Sequence, residues 1–266
     1  MTGKVRAIAF DLDDTLAISK SQIDDRMAEL LCKLIDVIDV CIISGGRFEQ
    51  FERQVLRHLR ADSRSLASLH LMPTCGTRYY RWGDGAWWQV YAEDLSEDDK
   101  CRVKAVLEQG AKELGLWETE TWGDKIEDRG GQMTFSALGQ EAPAAKKYQW
   151  DPGNSKKESL RAYAARRLPD LEVRVGGSTS VDVTRQGIDK AYGIRKLMEH
   201  LDLEAGEILF VGDRLGEGGN DYPVRAVGVQ WLEVSRWEDT ADFIEEFLAS
   251  GQTAPRTHGG VRCDRS

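Results

Sequence analysis

Short apolar runs alternate with stretches of helical spacing along the first third of the chain. Residues 5–10, 37–43 and 69–72 are compact apolar runs of strand type, while 25–35 and 48–59 repeat apolar positions every three to four residues. This alternation predicts βαβ units and a parallel sheet. The pattern then changes. Residues 78–82 and 87–91 flank Gly83-Asp84-Gly85 and predict a hairpin with a tight turn. A helix is expected over 97–114, with Ser96 as N-cap and Asp99 in capping-box position. Strands follow at 125–127 and 132–137, a helix at 155–168, and strands at 172–175 and 180–183. After Gly187 the βα alternation resumes, with a helix over 190–200, strands at 208–211 and 226–229, and a helix over 237–248.

The expected architecture is therefore an α/β core formed by residues 1–79 and 187–250, interrupted by an α+β insertion at 80–186. Residues 251–266 are polar, with glycine and no periodicity, and read as a disordered tail. Of the eight tryptophans, Trp82, Trp87, Trp88, Trp117, Trp122 and Trp150 fall within the insertion so defined, where they are expected to supply core area.

Composition narrows the function classes. The chain has 266 residues, of which 36 are basic and 45 acidic, and its net charge of -9 disfavours a nucleic-acid or anionic-membrane surface. There is neither a run of membrane-spanning length nor a signal-peptide pattern at the N-terminus, so the expected location is the cytoplasm. Five scattered cysteines without a C-x-x-C pair and four dispersed histidines give no support for zinc, a disulfide framework or a histidine-based triad. Cys32 and Cys41 lie in apolar surroundings and are expected as small core residues. The chemistry must then rest on carboxylates, lysine and a metal.

Four segments carry that chemistry. Asp11 and Asp13 stand one residue apart at the end of the first apolar run, where the carboxyl ends of parallel strands bind ligands. Ser44 and Gly45 follow the second run and precede a helix, offering a hydroxyl and backbone N–H groups to an anion. Lys190 opens a helix after Gly187-Ile188-Asp189. Last, the run 208–211 leads to Gly212-Asp213, and a glycine-rich loop then presents Asn220-Asp221.

In order and kind, these segments resemble the signatures of the haloacid dehalogenase superfamily. That resemblance implies a Rossmann-like core with a parallel sheet. An α+β insertion between the second and third segments resembles subclass IIB, which carries a C2-type cap and acts mainly on phosphorylated sugars. It also implies the roles. Asp11 would be the nucleophile that accepts the phosphoryl group, and Asp13 the general acid and base. Ser44, Gly45 and Lys190 would bind phosphoryl oxygens, while Mg²⁺ would be held by Asp11, Asp213 and the Asp13 carbonyl, with Asn220 and Asp221 supporting the metal shell. Asp14 stands where glycine is often found, and its role is not evident from the sequence.

Residues 126–133, 135–140, 176–183 and 218–221 are further similar to eukaryotic-type phosphomannomutases. By that likeness Arg129, Gln140, Ser180 and Asp182 occupy sugar-binding positions of the cap. Two positions depart from the pattern: Gln140 and Lys20 each stand where that family has arginine. A mutase must grip a phosphate at the far end of its sugar, a task that bidentate guanidinium contacts suit better than an amide. The reading is a Mg²⁺-dependent phosphatase acting on a small phosphorylated sugar through an aspartyl-phosphate, with a phosphomannomutase-like isomerase as the alternative. A homodimer is left open.

Overall fold

A computed structural model describes residues 4–251. The segment read as a tail, including Cys263, lies outside the described residues from position 252 onward. In chain order the elements begin with β1 (Ala7–Phe10), α1 (Asp25–Ile35), β2 (Asp39–Ile43), α2 (Phe48–Gln54), α3 (Ser63–Leu66) and β3 (Leu69–Met72). Next come β4 (Arg78–Gly83), β5 (Ala86–Ala92), α4 (Glu97–Glu113), β6 (Ile126–Asp128), β7 (Gln132–Ser136), α5 (Ala144–Trp150), α6 (Ser155–Ala165), β8 (Leu171–Val175) and β9 (Ser180–Arg185). The chain closes with α7 (Lys190–Leu201), β10 (Ile208–Gly212), β11 (Gln230–Glu233) and α8 (Trp237–Ala249).

The described residues divide into two compact units, 4–91 with 189–251, and 92–188. In the first, seven strands form one sheet in the order β11-β10-β1-β2-β3-β4-β5. The strands from β11 to β3 run parallel, and β4 turns antiparallel to β3. Every residue of β1, β2 and β3 is buried, as strands with helices on both faces require. One apolar layer joins Ile8, Phe10, Val40 and Ile42 to Met27, Leu31, Leu34 and Ile244, and the other joins Ala9, Cys41 and Phe210 to Ile194 and Leu197. Helix α7 packs unusually close: a Cβ on Gly76 would lie 2.5 Å from the Gly193 Cα, so two glycines let backbone meet backbone there.

The second unit is a four-stranded antiparallel sheet, β6-β7-β9-β8, with α4 and α6 supplying its apolar layer. Alternation divides its faces. Met133, Phe135, Val181 and Val183 join the core with Leu107 and Leu160, whereas Thr134 is paired with Asp182, and Ser136 with Ser180, on the polar face. The ends of this unit are tied by the Arg185 guanidinium, which donates to the Glu93 carbonyl (3.0 Å) and carboxylate (3.2 Å).

Several elements differ from the sequence-based expectation. The hairpin of β4 and β5 extends the large sheet, so Trp82, Trp87 and Trp88 belong to the first unit and the division falls after Tyr91 instead of at residue 80. Its turn has Asp84 and Gly85 both at positive φ (49° and 79°), which suits the twist of a two-residue hairpin. The helix expected over 48–59 stops at Gln54, because Val55 leaves helical geometry (φ -123°, ψ -62°). Residues 226–229 do not form a strand. Tyr222–Val227 is a short 3₁₀ helix ended by Gly228 at φ 87°, and the strand lies at Gln230–Glu233. Helix α5 was not anticipated. Among the described residues, Cys32, Cys41, Cys75 and Cys101 form no disulfide, with Cys41 buried as expected and Cys32 only partly so. Among the described residues, no helix is long and apolar enough to cross a membrane.

A buried histidine gives the first unit a pH-sensitive stability. His70 on β3 is fully buried, with Nδ1 2.7 Å from the Tyr79 hydroxyl and Nε2 3.6 Å from the Asp39 carboxylate. Burial lowers its pKa below the ordinary 6.5, and Asp39 only partly opposes this. The unfolded chain therefore takes up a proton near 6.5 that the folded chain refuses, so this contribution is lost as pH falls through that value. Thermal midpoints measured between about pH 7 and 5 are expected to fall less steeply for His70→Gln than for the parent. Parallel slopes would remove His70 as the cause.

Candidate active site

Strand register builds the site. β10, β1 and β2 are adjacent and parallel, with Phe10 opposite both Val211 and Ile42. The residues that follow, Asp213 after β10, Asp11 after β1 and Ser44 after β2, therefore emerge at the same edge. Asp11 is tied to its neighbour strand by its backbone N–H, which donates to the Val211 carbonyl (3.0 Å).

Lys190 completes this edge from α7. The Asp189 side chain caps that helix by accepting from the Tyr192 N–H, and Lys190 is its first residue, only 1% exposed. Its ammonium lies 2.5 Å from an Asp11 carboxylate oxygen and also donates to the fully buried Asp221. Asp221 additionally accepts from the Arg214 N–H (3.1 Å), which fixes the loop between Asp213 and Asp221.

Asp11, Asp213 and Asp221 each place a carboxylate oxygen within 4.8 Å of the others. Burial lifts the Asp11 carboxyl well above its ordinary value; Lys190 opposes this, and the charges of Asp221 and Asp213 add to the rise. Burial, with the Asp221 charge behind it, also pushes Asp213 up to about 6. Lys190 shows the balance from the cation's side. Burial acts to lower its pKa, but Asp11 and Asp221 outweigh this, and it is raised above the ordinary lysine value. Asp213 Oδ1 is buried without a hydrogen-bond partner among the described residues. Three acidic groups crowded around one ammonium, one oxygen of them unmet, form an oxygen-only donor set that fits a hard divalent cation.

Asp13 is not one of these three, and its carboxylate is held by Lys20, Gln50 and Gln54. Burial acts to raise its pKa, but the Lys20 charge and N–H and the two amides outweigh that and hold it below the ordinary value. Asp14 now has an explanation. It adopts φ 63°, where glycine is the easiest residue and aspartate a tolerated one, and its carboxylate accepts from the Ser19 N–H (3.0 Å). Ser44 is buried and its hydroxyl accepts from the Gly46 N–H (3.2 Å), with Gly45 between them partly exposed. Asn220 is exposed, unlike the fully buried Asp221 beside it.

In the second unit the structure brings together some of the residues singled out. Arg129 is buried between Glu127, to which its Nε donates (2.7 Å), and Gln140, whose Oε1 accepts from Nη2 (3.1 Å). Asp182 accepts from the Thr134 hydroxyl (2.7 Å) on the polar face that also carries Ser180. Glu127, Gln50 and Gln54 were not anticipated. The two glutamines, four residues apart on a helix whose Phe51 is buried, carried the only signal in the sequence.

The family model for eukaryotic phosphomannomutase matches residues 27–250. The chain belongs to the eukaryotic phosphomannomutase family. A probable phosphomannomutase of Caenorhabditis elegans is 24% identical over 252 residues, covering 91% of this chain and 94% of that protein. The Saccharomyces cerevisiae phosphomannomutase is 25% identical over 256 residues, covering 91% and 93%. Among solved structures, a haloacid dehalogenase-like hydrolase from Bacteroides thetaiotaomicron shares the fold with a TM-score of 0.59 at 18% identity, covering 92% of this chain and all of that one (100%). An IMP-bound IMP-nucleotidase of Plasmodium falciparum does so with a TM-score of 0.68 at 14% identity, covering 92% and 68%. The phosphomannomutase family lies within the haloacid dehalogenase superfamily, and the chain is an enzyme of that superfamily with a mixed α/β core and a separate antiparallel sheet.

Proposed function

We propose that this protein is a phosphomannomutase-type phosphotransferase that interconverts hexose 1-phosphate and hexose 6-phosphate through an aspartyl-phosphate on Asp11. The observation that carries the reading is Asp11 itself, buried at the end of β1 with Lys190 at 2.5 Å, in a chain whose family match spans both units. The first unit is the catalytic core and the second its cap.

In the first half-reaction an Asp11 carboxylate oxygen forms a bond to phosphorus as the bond to the sugar oxygen breaks, and Asp13 gives that oxygen a proton. In the second, an acceptor hydroxyl attacks the phosphorus, the bond to Asp11 breaks, and Asp13 takes the hydroxyl proton back. Ser44, Gly45 and Lys190 offset the charge on the phosphoryl oxygens. Lys190 is the strongest of these, because it is buried and already held as a cation by two carboxylates. Mg²⁺ held by Asp11, Asp213 and the Asp13 carbonyl would supply further positive charge at the phosphoryl group, with Asp221 and Asn220 orienting its surroundings. In the cap, Arg129, Gln140, Ser180 and Asp182 bind the sugar. The substrate is a small phosphorylated sugar and the expected location is the cytoplasm.

A second reading, with water as acceptor, is favoured by one position. Gln140 is neutral, and the charge of its neighbour Arg129 is already offset by Glu127, which leaves less for a second phosphate than two guanidinium groups would offer. The deciding experiment incubates the protein with Mg²⁺ and mannose 1-phosphate, with and without a hexose 1,6-bisphosphate, and follows hexose 6-phosphate and free phosphate together. Bisphosphate-dependent hexose 6-phosphate is the expected result. Phosphate release without isomerisation would replace the first reading with the second. In the same assay Gln140→Arg is expected to lower the bisphosphate concentration needed for half-maximal rate by about tenfold, the value of one charge-assisted pair. An unchanged requirement would place Gln140 away from the sugar end.

A further inference from the structure

Two buried glutamines have no part in the mechanism as described. Gln50 and Gln54 are 5% and 1% exposed, a burial that glutamine tolerates only when its amide is engaged. Four residues apart on α2, they share one face of the helix. Both side chains end at Asp13.

Their neighbours fix which way each amide points. Lys20 Nζ donates to Gln50 Oε1 (2.8 Å), so the opposite end of that amide, Nε2, is the one that donates to Asp13 Oδ2 (3.1 Å). Gln54 Nε2 donates to the Ser21 carbonyl (2.7 Å), which can only accept, and to Asp13 Oδ1 (3.3 Å). The Lys20 backbone N–H adds a bond to Oδ1 (2.7 Å), and its ammonium stands 3.4 Å from Oδ2. Three hydrogen bonds thus meet the carboxylate, two at Oδ1 and one at Oδ2, which leaves Oδ2 an acceptor site for the proton that Asp13 passes on. Gln50 also needs a particular seat. A Cβ on Gly46 would lie 2.2 Å from its Oε1, so the second glycine of the Ser44-Gly45-Gly46 turn is what leaves room for this side chain to reach Asp13.

We propose that Gln50 is a positioning residue for Asp13: braced by Lys20 and seated over Gly46, its amide aims the carboxylate that passes a proton to the departing sugar oxygen, while Gln54 fixes the other oxygen. The assignment rests on the role of Asp13 proposed above. Gln50 touches neither substrate nor phosphorus in this scheme and acts through direction alone.

A group that acts through proton delivery matters in proportion to the leaving group's need for a proton. p-Nitrophenolate departs without one, whereas a sugar alkoxide does not. The test compares kcat/KM for p-nitrophenyl phosphate with that for mannose 1-phosphate, followed as its consumption, in the parent, in Gln50→Met and in Gly46→Ala. Gln50→Met keeps an unbranched buried side chain and removes the amide. Gly46→Ala keeps the glutamine and fills its seat. Both are expected to lose about tenfold or more with mannose 1-phosphate, within the range general acid catalysis supplies, and less than about threefold with p-nitrophenyl phosphate. Equal losses with both substrates, or none with either, would overturn the proposal. A parent protein that turns over neither probe would overturn the proposed function as well, and that result is visible before any variant is made.

Discussion

Asp11→Asn is expected to abolish turnover, by at least about a thousandfold or ~4 kcal/mol of barrier, while the protein keeps its fold. The amide matches the carboxylate in shape and retains an oxygen for Lys190, 2.5 Å away in the parent. It also removes one charge from a cluster in which Asp11, Asp213 and Asp221 crowd together, so thermal stability should change little. What it removes is the proposed nucleophile. Mass spectrometry of protein quenched in acid during turnover should find phosphate on the Asp11 peptide of the parent and none in the variant. Retained activity, or phosphate trapped on another residue, would end the nucleophile assignment.

Lys190→Met is expected to damage both stability and activity. Lys190 is buried between Asp11 and Asp221, and its loss leaves two buried carboxylates without their cation. Breaking a buried pair in this way costs about 3–5 kcal/mol. A partner substitution separates the two effects. Lys190→Met combined with Asp221→Leu removes one of the stranded charges and should recover part of the stability in denaturant melts, yet no activity, because the cation proposed to meet the phosphoryl group is still missing. A double variant as unstable as the single one would mean that Asp221 is not what Lys190 compensates. Recovered activity would place the phosphoryl cation elsewhere.

Much of this site was legible because its parts are local. A strand of apolar residues that ends in an acid is a pattern of adjacent positions, and Asp11, Ser44 and Asp213 could be assigned to strand ends with no knowledge of the sheet. Their convergence depends on β10, β1 and β2 being neighbours; the βα alternation implies this for β1 and β2, while the place of β10 beside β1 is seen only in the sheet. The hold on Asp13 was not legible. It needs Val55 to end α2 where it does, Lys20 to take φ 62° and Gly46 to leave space, none of which is a pattern in sequence. The misplaced strand at 226–229 has a similar cause. Ala-Val-Gly-Val is apolar enough for a strand, but Val224 and Val227 lie three apart and pack as a helical turn does, while the real strand, Gln-Trp-Leu-Glu, is half polar because it forms the sheet's edge. The hairpin of β4 and β5 was correctly anticipated as a hairpin, yet nothing in its own residues said which sheet it would join.

The bond from Arg185 to Glu93 bears on how the chain folds. β1 pairs with β10, so residues about two hundred apart must meet before the central sheet exists, and Lys190, Asp213 and Asp221 reach Asp11 only with the last part of the chain. Long-range pairing of this kind slows folding, because the loop must close before any contact rewards it. The inserted unit has its own apolar core, and Arg185 joins its two ends across 92 residues. Once it has folded, the loop closed by pairing β1 with β10 is shortened to about half, which spares roughly 0.6 kcal/mol of closure entropy. An insertion that folds first therefore acts as a splice, shortening the stretch of chain that separates the two halves of the large sheet.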